Sequence, residues 1–100
     1  MHSIEIIKSA TFESWLVGLK ERQARLRVIS RIERLGAGNP GDVKPVGAGI
    51  SELRLDVGPG YRVYFMRRGA LVIVLLAGGD KRTQDADIKR AMKIASEWKD

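Results

Sequence analysis

The stretch from Leu71 to Ala77 is apolar without interruption. It is far short of the roughly 20 residues that span a bilayer, so it reads as a central strand covered on both faces. The rest of the chain has to be arranged around it. Upstream, Leu53, Leu55 and Val57 alternate with Arg54 and Asp56, and Tyr61, Val63 and Phe65 alternate with Arg62, Tyr64 and Met66. This period of two marks strands whose two faces differ. Gly58-Pro59-Gly60 makes a tight turn between them, Arg68-Gly69 makes a second, and Gly78-Gly79 is expected to release the chain from the sheet.

Helical spacing occupies the two ends. After a short β-rich run, Ser3 to Lys8, Thr11 is expected to cap a first helix carrying Phe12, Trp15, Leu16 and Leu19 on one stripe. A second stripe, Ala24, Val28, Ile32 and Leu35, follows, with Lys20, Arg27, Arg31 and Arg34 on another face; the run from Gly36 to Gly41 ends that helix. Thr83 or Asp85 is expected to cap a last helix bearing Ile88, Ala91, Met92, Ala95 and Trp98. The chain therefore predicts an α+β fold of order β-α-α-β-β-β-α, a mostly antiparallel sheet with helices packed on one face. Residues 1–100 are the size of a single domain.

Charge narrows the partners. Lys and Arg number 18 against 12 Asp and Glu, a formal charge of +6, which draws the chain to a nucleic acid or to an acidic protein. There is no cysteine, so disulfides and thiolate metal sites are out of reach and a reducing, cytoplasmic setting fits. His2 is the single histidine, which removes a histidine-centred triad. The opening residues carry no secretory pattern, and neither membrane insertion, metal nor cofactor is expected.

The remaining candidates are cations on strand faces and strand ends. Arg54 and Arg62 should project to one side of neighbouring strands, with Tyr64 further along that face, while Lys81 and Arg82 lie just past the central strand. The pattern reads as lacking a carboxylate at matching positions to neutralise them. The structural alternative is an open sheet face kept soluble by charge, with Arg54 paired across strands to an acidic residue. Such a cation set suits metal-independent RNA cleavage, in which the 2′-hydroxyl attacks the adjacent phosphate. Guanidinium forks meet phosphate oxygens in pairs, and a lysine among cations can serve in proton transfer.

Pro45-Val46-Gly47, Glu52-Leu53-Arg54, Gly60-Tyr61-Arg62-Val63-Tyr64 and Leu75-Leu76-Ala77-Gly78-Gly79-Asp80-Lys81, with Gln84-Asp85 and Asp87-Ile88, resemble the RelE/ParE toxin superfamily. The branch they look closest to is the HigB-like addiction module killer group. The resemblance covers essentially the whole chain and is most specific from Glu52 to Ile88. It implies a ribosome-dependent mRNA endonuclease of a type II toxin–antitoxin system, held in a hetero-oligomer by an antitoxin of helix-turn-helix type. It places Arg62 on the phosphate, Lys81 in catalysis and, less closely, Arg54 at a basic strand position; from the residue pattern Tyr64 is expected to join the catalytic group by orienting a base or phosphate, and Arg82, Lys44 and Arg67 are expected to bind RNA. Some relatives move protons with a C-terminal tyrosine or histidine, whereas the last helix here offers Lys93, Trp98 and Lys99. Two alternatives stay open: a ParE-like poison of DNA gyrase without nuclease activity, and a non-enzymatic RNA- or partner-binding module using Arg27, Arg31 and Arg34.

Overall fold

The computed structural model describes residues 3–99; His2 lies outside them. One sheet contains β1 (Glu5–Lys8), β2 (Val43–Gly47), β3 (Ile50–Leu55), β4 (Tyr61–Arg68) and β5 (Val72–Asp80), in the order β1-β5-β4-β3-β2. Only β1, beside β5, runs parallel to its neighbour. The helices are α1 (Ala10–Gly18), α2 (Arg22–Gly36) and α3 (Gln84–Glu97), the last preceded by a single 3-10 turn, Lys81–Thr83. The α+β class and the mostly antiparallel sheet are as expected. No helix among the described residues is long and apolar enough to cross a membrane.

Several expectations need correction. The sheet has one strand more than the sequence pattern gives, because Pro45 and Gly47 blur β2. Proline is tolerated there because β2 is an edge strand, where a missing N–H leaves no neighbour unpaired. Ser9, not Thr11, caps α1: its buried hydroxyl accepts from Phe12 N at 3.0 Å and donates to the Leu76 carbonyl at 2.7 Å. Finally, the helices cover both faces of the sheet. Phe12 and Leu16 of α1 and Val28, Ile32 and Leu35 of α2 pack on Leu53, Leu55, Val63, Phe65, Ile73 and Leu75. On the opposite face Ala91, with Ile88, Met92, Ala95 and Trp98 around it, meets Ile50, Tyr64, Met66, Val74, Leu76 and Ala77.

A bulge makes this two-sided arrangement work near the site. Tyr64 pairs with Ala77 but Phe65 pairs with Leu75, so Leu76 is an extra residue on β5. Leu76 and Ala77 therefore both join the α3-side core, and the alternation restarts one residue out of step. Gly78 then lies under the Trp15 indole of α1, and Gly79 under the Asp87 carboxylate of α3. Neither glycine releases the chain; both are buried within β5, where they leave room for those groups. Asp87 is fixed by Thr83 Oγ1, which donates to it at 2.5 Å, and by Arg90 Nη1 at 3.3 Å. Thr83 thus stands at the start of α3, but its hydroxyl braces Asp87 and closes the preceding 3-10 turn by accepting from Asp80 N at 3.4 Å, with no cap bond to α3 itself.

A methyl group at Gly79 would overlap Asp87 Oδ2. Gly79→Ala is expected to destabilise the fold by about 1–3 kcal/mol, the usual range for forced overpacking, seen as a lower urea midpoint. Adding Asp87→Ala should return part of the loss. A Gly79→Ala chain as stable as wild type would show that the carboxylate does not hold this position.

Candidate functional site

The sheet end beyond the start of α3 is assembled by strand register. Arg54 and Arg62 are direct cross-strand partners, and Arg62 stands opposite Gly79 on its other side. In the adjoining row, Lys44 of the edge strand pairs with Glu52, Glu52 with Tyr64, and Tyr64 with Ala77. Two guanidinium groups directly opposed repel each other, so a counter-charge is needed. Glu52 supplies it.

Glu52 Oε1 lies 3.8 Å from Arg62 Nε and 3.9 Å from Arg54 Nε. Its Oε2 accepts from Tyr64 Oη at 3.0 Å and from Gln84 Nε2, the first residue of α3, at 2.7 Å. The Glu52 side chain is 1% exposed, so a buried carboxylate has both oxygens engaged, as burial of charge demands. The expectation of an unneutralised cation set is thereby corrected. A signal for it exists in the sequence: Glu52 precedes Arg54 by two residues on a strand, and such pairs share a face.

The candidate residues occupy unlike environments. Arg62 is buried, with a side chain 5% exposed; its Nη1 donates to the Tyr61 carbonyl at 3.0 Å. Its Nε has no hydrogen-bond partner among the described residues, since Glu52 is near enough to attract it but not to bond it. Arg54 is 38% exposed and is shared between Glu52 and Asp42, whose Oδ2 is 3.9 Å from Nε. Tyr64 is fully buried, which removes it from the surface where the sequence reading sets it. Burial first, then its hydrogen bond to Glu52, raises the Tyr64 phenol pKa above its ordinary value. It therefore stays protonated at neutral pH and positions Glu52.

Lys81 is exposed and leans over the β3–β4 turn. Its backbone N donates to the Gly60 carbonyl at 3.0 Å. A side chain at Gly60 would place its Cβ 3.1 Å from Lys81 Cδ and 3.5 Å from Arg62 Nη1; the glycine also has φ +81°, a conformation suited to glycine. Gly60 is thus what lets Lys81 approach Arg62. Arg82 is exposed but tied to Asp80, whose carboxylate accepts from Arg82 N at 2.8 Å and from Nη2 at 3.2 Å. The Arg82 side-chain bond is the main cause holding the Asp80 carboxyl below its ordinary pKa. Lys44 is exposed beside the Glu52 row. Arg67 lies at the other end of β4, about 17 Å along the strand from Arg62, and the fold does not bring it to this group.

Arg54 and Arg62 are paired across strands over a carboxylate that offsets one of their charges, and the Lys81 stem lies beside Arg62 over Gly60, with Lys44 and Arg82 at the margins. Among the described residues no three His, Cys, Asp or Glu side chains are grouped to hold a metal ion. Residues 14–99 match the family described as phage derived protein, Gp49-like. The chain belongs to that family. Gp49-like proteins are a toxin–antitoxin-associated family. An uncharacterized protein of Haemophilus influenzae is 50% identical over 95 residues, which cover 95% of this chain and 96% of that protein. The Gp49-like span takes in the row from Lys44 through Glu52, Arg54, Arg62 and Tyr64 to Lys81, and leaves out β1 and the start of α1.

Proposed function

We propose that this Gp49-like protein is the toxin of a type II toxin–antitoxin pair, of RelE/ParE and HigB-like type, and cleaves mRNA within the ribosome. The observation that carries the reading is the opposed Arg54–Arg62 pair with Lys81 beside it over Gly60. Two forks stand side by side with the Lys81 stem next to them, and the buried Glu52 holds the two forks together.

In the proposed reaction a 2′-oxygen attacks the adjacent phosphorus while the bond from phosphorus to the 5′-oxygen breaks. The 2′-hydroxyl gives its proton to water, the 5′-oxygen takes one from Lys81, and a 2′,3′-cyclic phosphate and a 5′-hydroxyl end remain. Arg54 and Arg62 bind the non-bridging oxygens and meet the negative charge that grows on them. Lys81, exposed beside the row, approaches the leaving 5′-oxygen and supplies its proton. Tyr64 and Gln84 keep Glu52 aligned with the arginines and touch no substrate. Lys44 and Arg82 flank the strand. An antitoxin of helix-turn-helix type is the partner, competing for this basic face.

The test is primer extension on a translated message, with wild-type protein and Arg62→Ala. Codon-linked breaks are expected with wild type alone, in the presence of ribosomes. Absence of such breaks with wild type would sink the nuclease reading, and gyrase-dependent DNA breaks in their place would assign the chain as a gyrase poison.

A further inference from the structure

We propose that the cleft between α2 and the end of β3 is a second phosphate-binding site, which holds single-stranded RNA as it approaches the Arg54–Arg62 row. The cleft has a volume of about 210 Å³ and is lined by Arg27, Ser30, Arg31 and Arg34 of α2 and by Leu55, Asp56 and Val57. It lies on the face opposite α3, at the same end of the sheet as the row.

Arginines at 27, 31 and 34 stack on one side of a helix, and like charges at such spacing oppose helix formation. Arg27 and Arg34 are exposed and have no acidic ion-pair partner among the described residues; the nearby carboxylates are Asp42, which attracts Arg31, and Asp56. Asp56 is the one carboxylate in the lining. Arg31 differs from its neighbours. Its Nη1 donates to the Arg54 carbonyl at 2.8 Å and its Nη2 to the Pro40 carbonyl at 3.1 Å, while its buried Nε has no hydrogen-bond partner. Burial, and then the nearness of Arg34, hold its pKa below the ordinary arginine value. A bound anion would favour the charged form of Arg31 and offset its repulsion from Arg34.

Arg31 also connects the two sites. It grips the backbone carbonyl of Arg54, the residue whose side chain stands in the row on the other face of the sheet. From Arg27 to Arg34 the helix rises about 10 Å, which gives two free forks room for successive phosphates. A path from this cleft to the row must turn around the end of β3. Duplex nucleic acid is stiff over about 150 base pairs and cannot make that turn, whereas a single strand can. Paired donation from guanidinium suits phosphate, and continuity with the proposed substrate row favours RNA over an acidic protein.

The inference rests on the proposed function for the identity of the polyanion, not for cleavage. The test is fluorescence anisotropy of wild-type protein with a 2′-O-methyl RNA dodecamer, which cannot be cut by 2′-hydroxyl attack, across a salt titration. Arg27→Gln/Arg34→Gln should weaken binding at least about tenfold and reduce the salt slope by about 1.4, two contacts at about 0.7 each for a single strand. Arg34→Lys, which keeps the charge, should retain the wild-type slope. Circular dichroism and the unfolding midpoint confirm that each variant is folded. Wild type that does not bind the dodecamer, or a double variant with unchanged affinity and slope, overturns the proposal. So does a double variant that still binds RNA but no longer binds poly-glutamate, which would give the cleft to an acidic protein. Wild-type binding without codon-linked cleavage on the ribosome would remove the nuclease reading and leave the cleft standing.

Discussion

Glu52→Ala is expected to remove about 3–5 kcal/mol of folding stability, the usual consequence of stripping one partner from a buried charge cluster. The alanine would leave Arg62, with a side chain 5% exposed, directly opposite Arg54 with no carboxylate between them. It would also leave the buried Tyr64 hydroxyl and the Gln84 amide without their acceptor. For a domain whose total stability falls in the typical range of about 5–15 kcal/mol, this approaches unfolding. Glu52→Gln separates the two causes. The amide oxygen still accepts a hydrogen bond from Tyr64, but the charge between the guanidiniums is gone, so an intermediate loss is expected. Urea unfolding of the two variants and of Glu52→Ala/Arg62→Met measures the coupling, which should recover part of the loss once the orphaned cation is removed. Stability of Glu52→Ala within about 0.5 kcal/mol of wild type, the range of ordinary surface changes, would show that Glu52 is not the hub of this site.

Much of this arrangement is legible from residue pattern. Alternation through 53–57 and 61–66 gives both strands of the β3–β4 hairpin and places Arg54, Arg62 and Tyr64 on one face; the pairing in register confirms it. The stripes Ala24, Val28, Ile32, Leu35 and Ile88, Ala91, Met92 identify the helix faces that become buried. The apolar run from Leu71 to Ala77 already calls for cover on both sides, which conflicts with packing every helix on one face. The bulge at Leu76 is invisible in the pattern because both neighbours are apolar and either register buries something. That extra residue decides which side of β5 Gly78 and Gly79 present, and hence where Trp15 and Asp87 can sit. Contacts between elements distant in sequence were equally hidden. Gln84 reaches Glu52 across 32 positions, and Arg31 reaches Arg54 across 23. Helical periodicity puts Arg31 on a solvated face; only the approach of Pro40 and Arg54 turns it inward. Arg67 carries the right charge in the right strand but at the wrong end.

Lys81→Ala is expected to reduce codon-linked cleavage by about 10²–10³-fold while leaving the unfolding midpoint unchanged. The rate effect lies in the usual range for losing a positioned general acid. The unchanged midpoint follows from exposure, since the side chain makes no ion pair among the described residues and its backbone bond to Gly60 survives truncation. Arg62→Ala cannot be read so simply. It should lose at least as much activity, but it also takes a counter-ion from the buried Glu52, so part of the loss would come from a displaced Arg54. Arg62→Lys keeps a cation near the carboxylate and removes only the fork. If Arg62 binds the phosphate in two places, the lysine variant should recover stability but not rate. Single-turnover cleavage on ribosomes programmed with one message separates the two effects, because a defect confined to the transition state lowers the chemical rate at saturating toxin. A Lys81→Ala chain that cleaves at the wild-type rate would remove Lys81 from the reaction. An Arg62→Lys chain that recovers both stability and rate would reduce Arg62 to a partner of Glu52. With both results the nuclease assignment would rest on Arg54 alone, which is too little to organise an in-line attack.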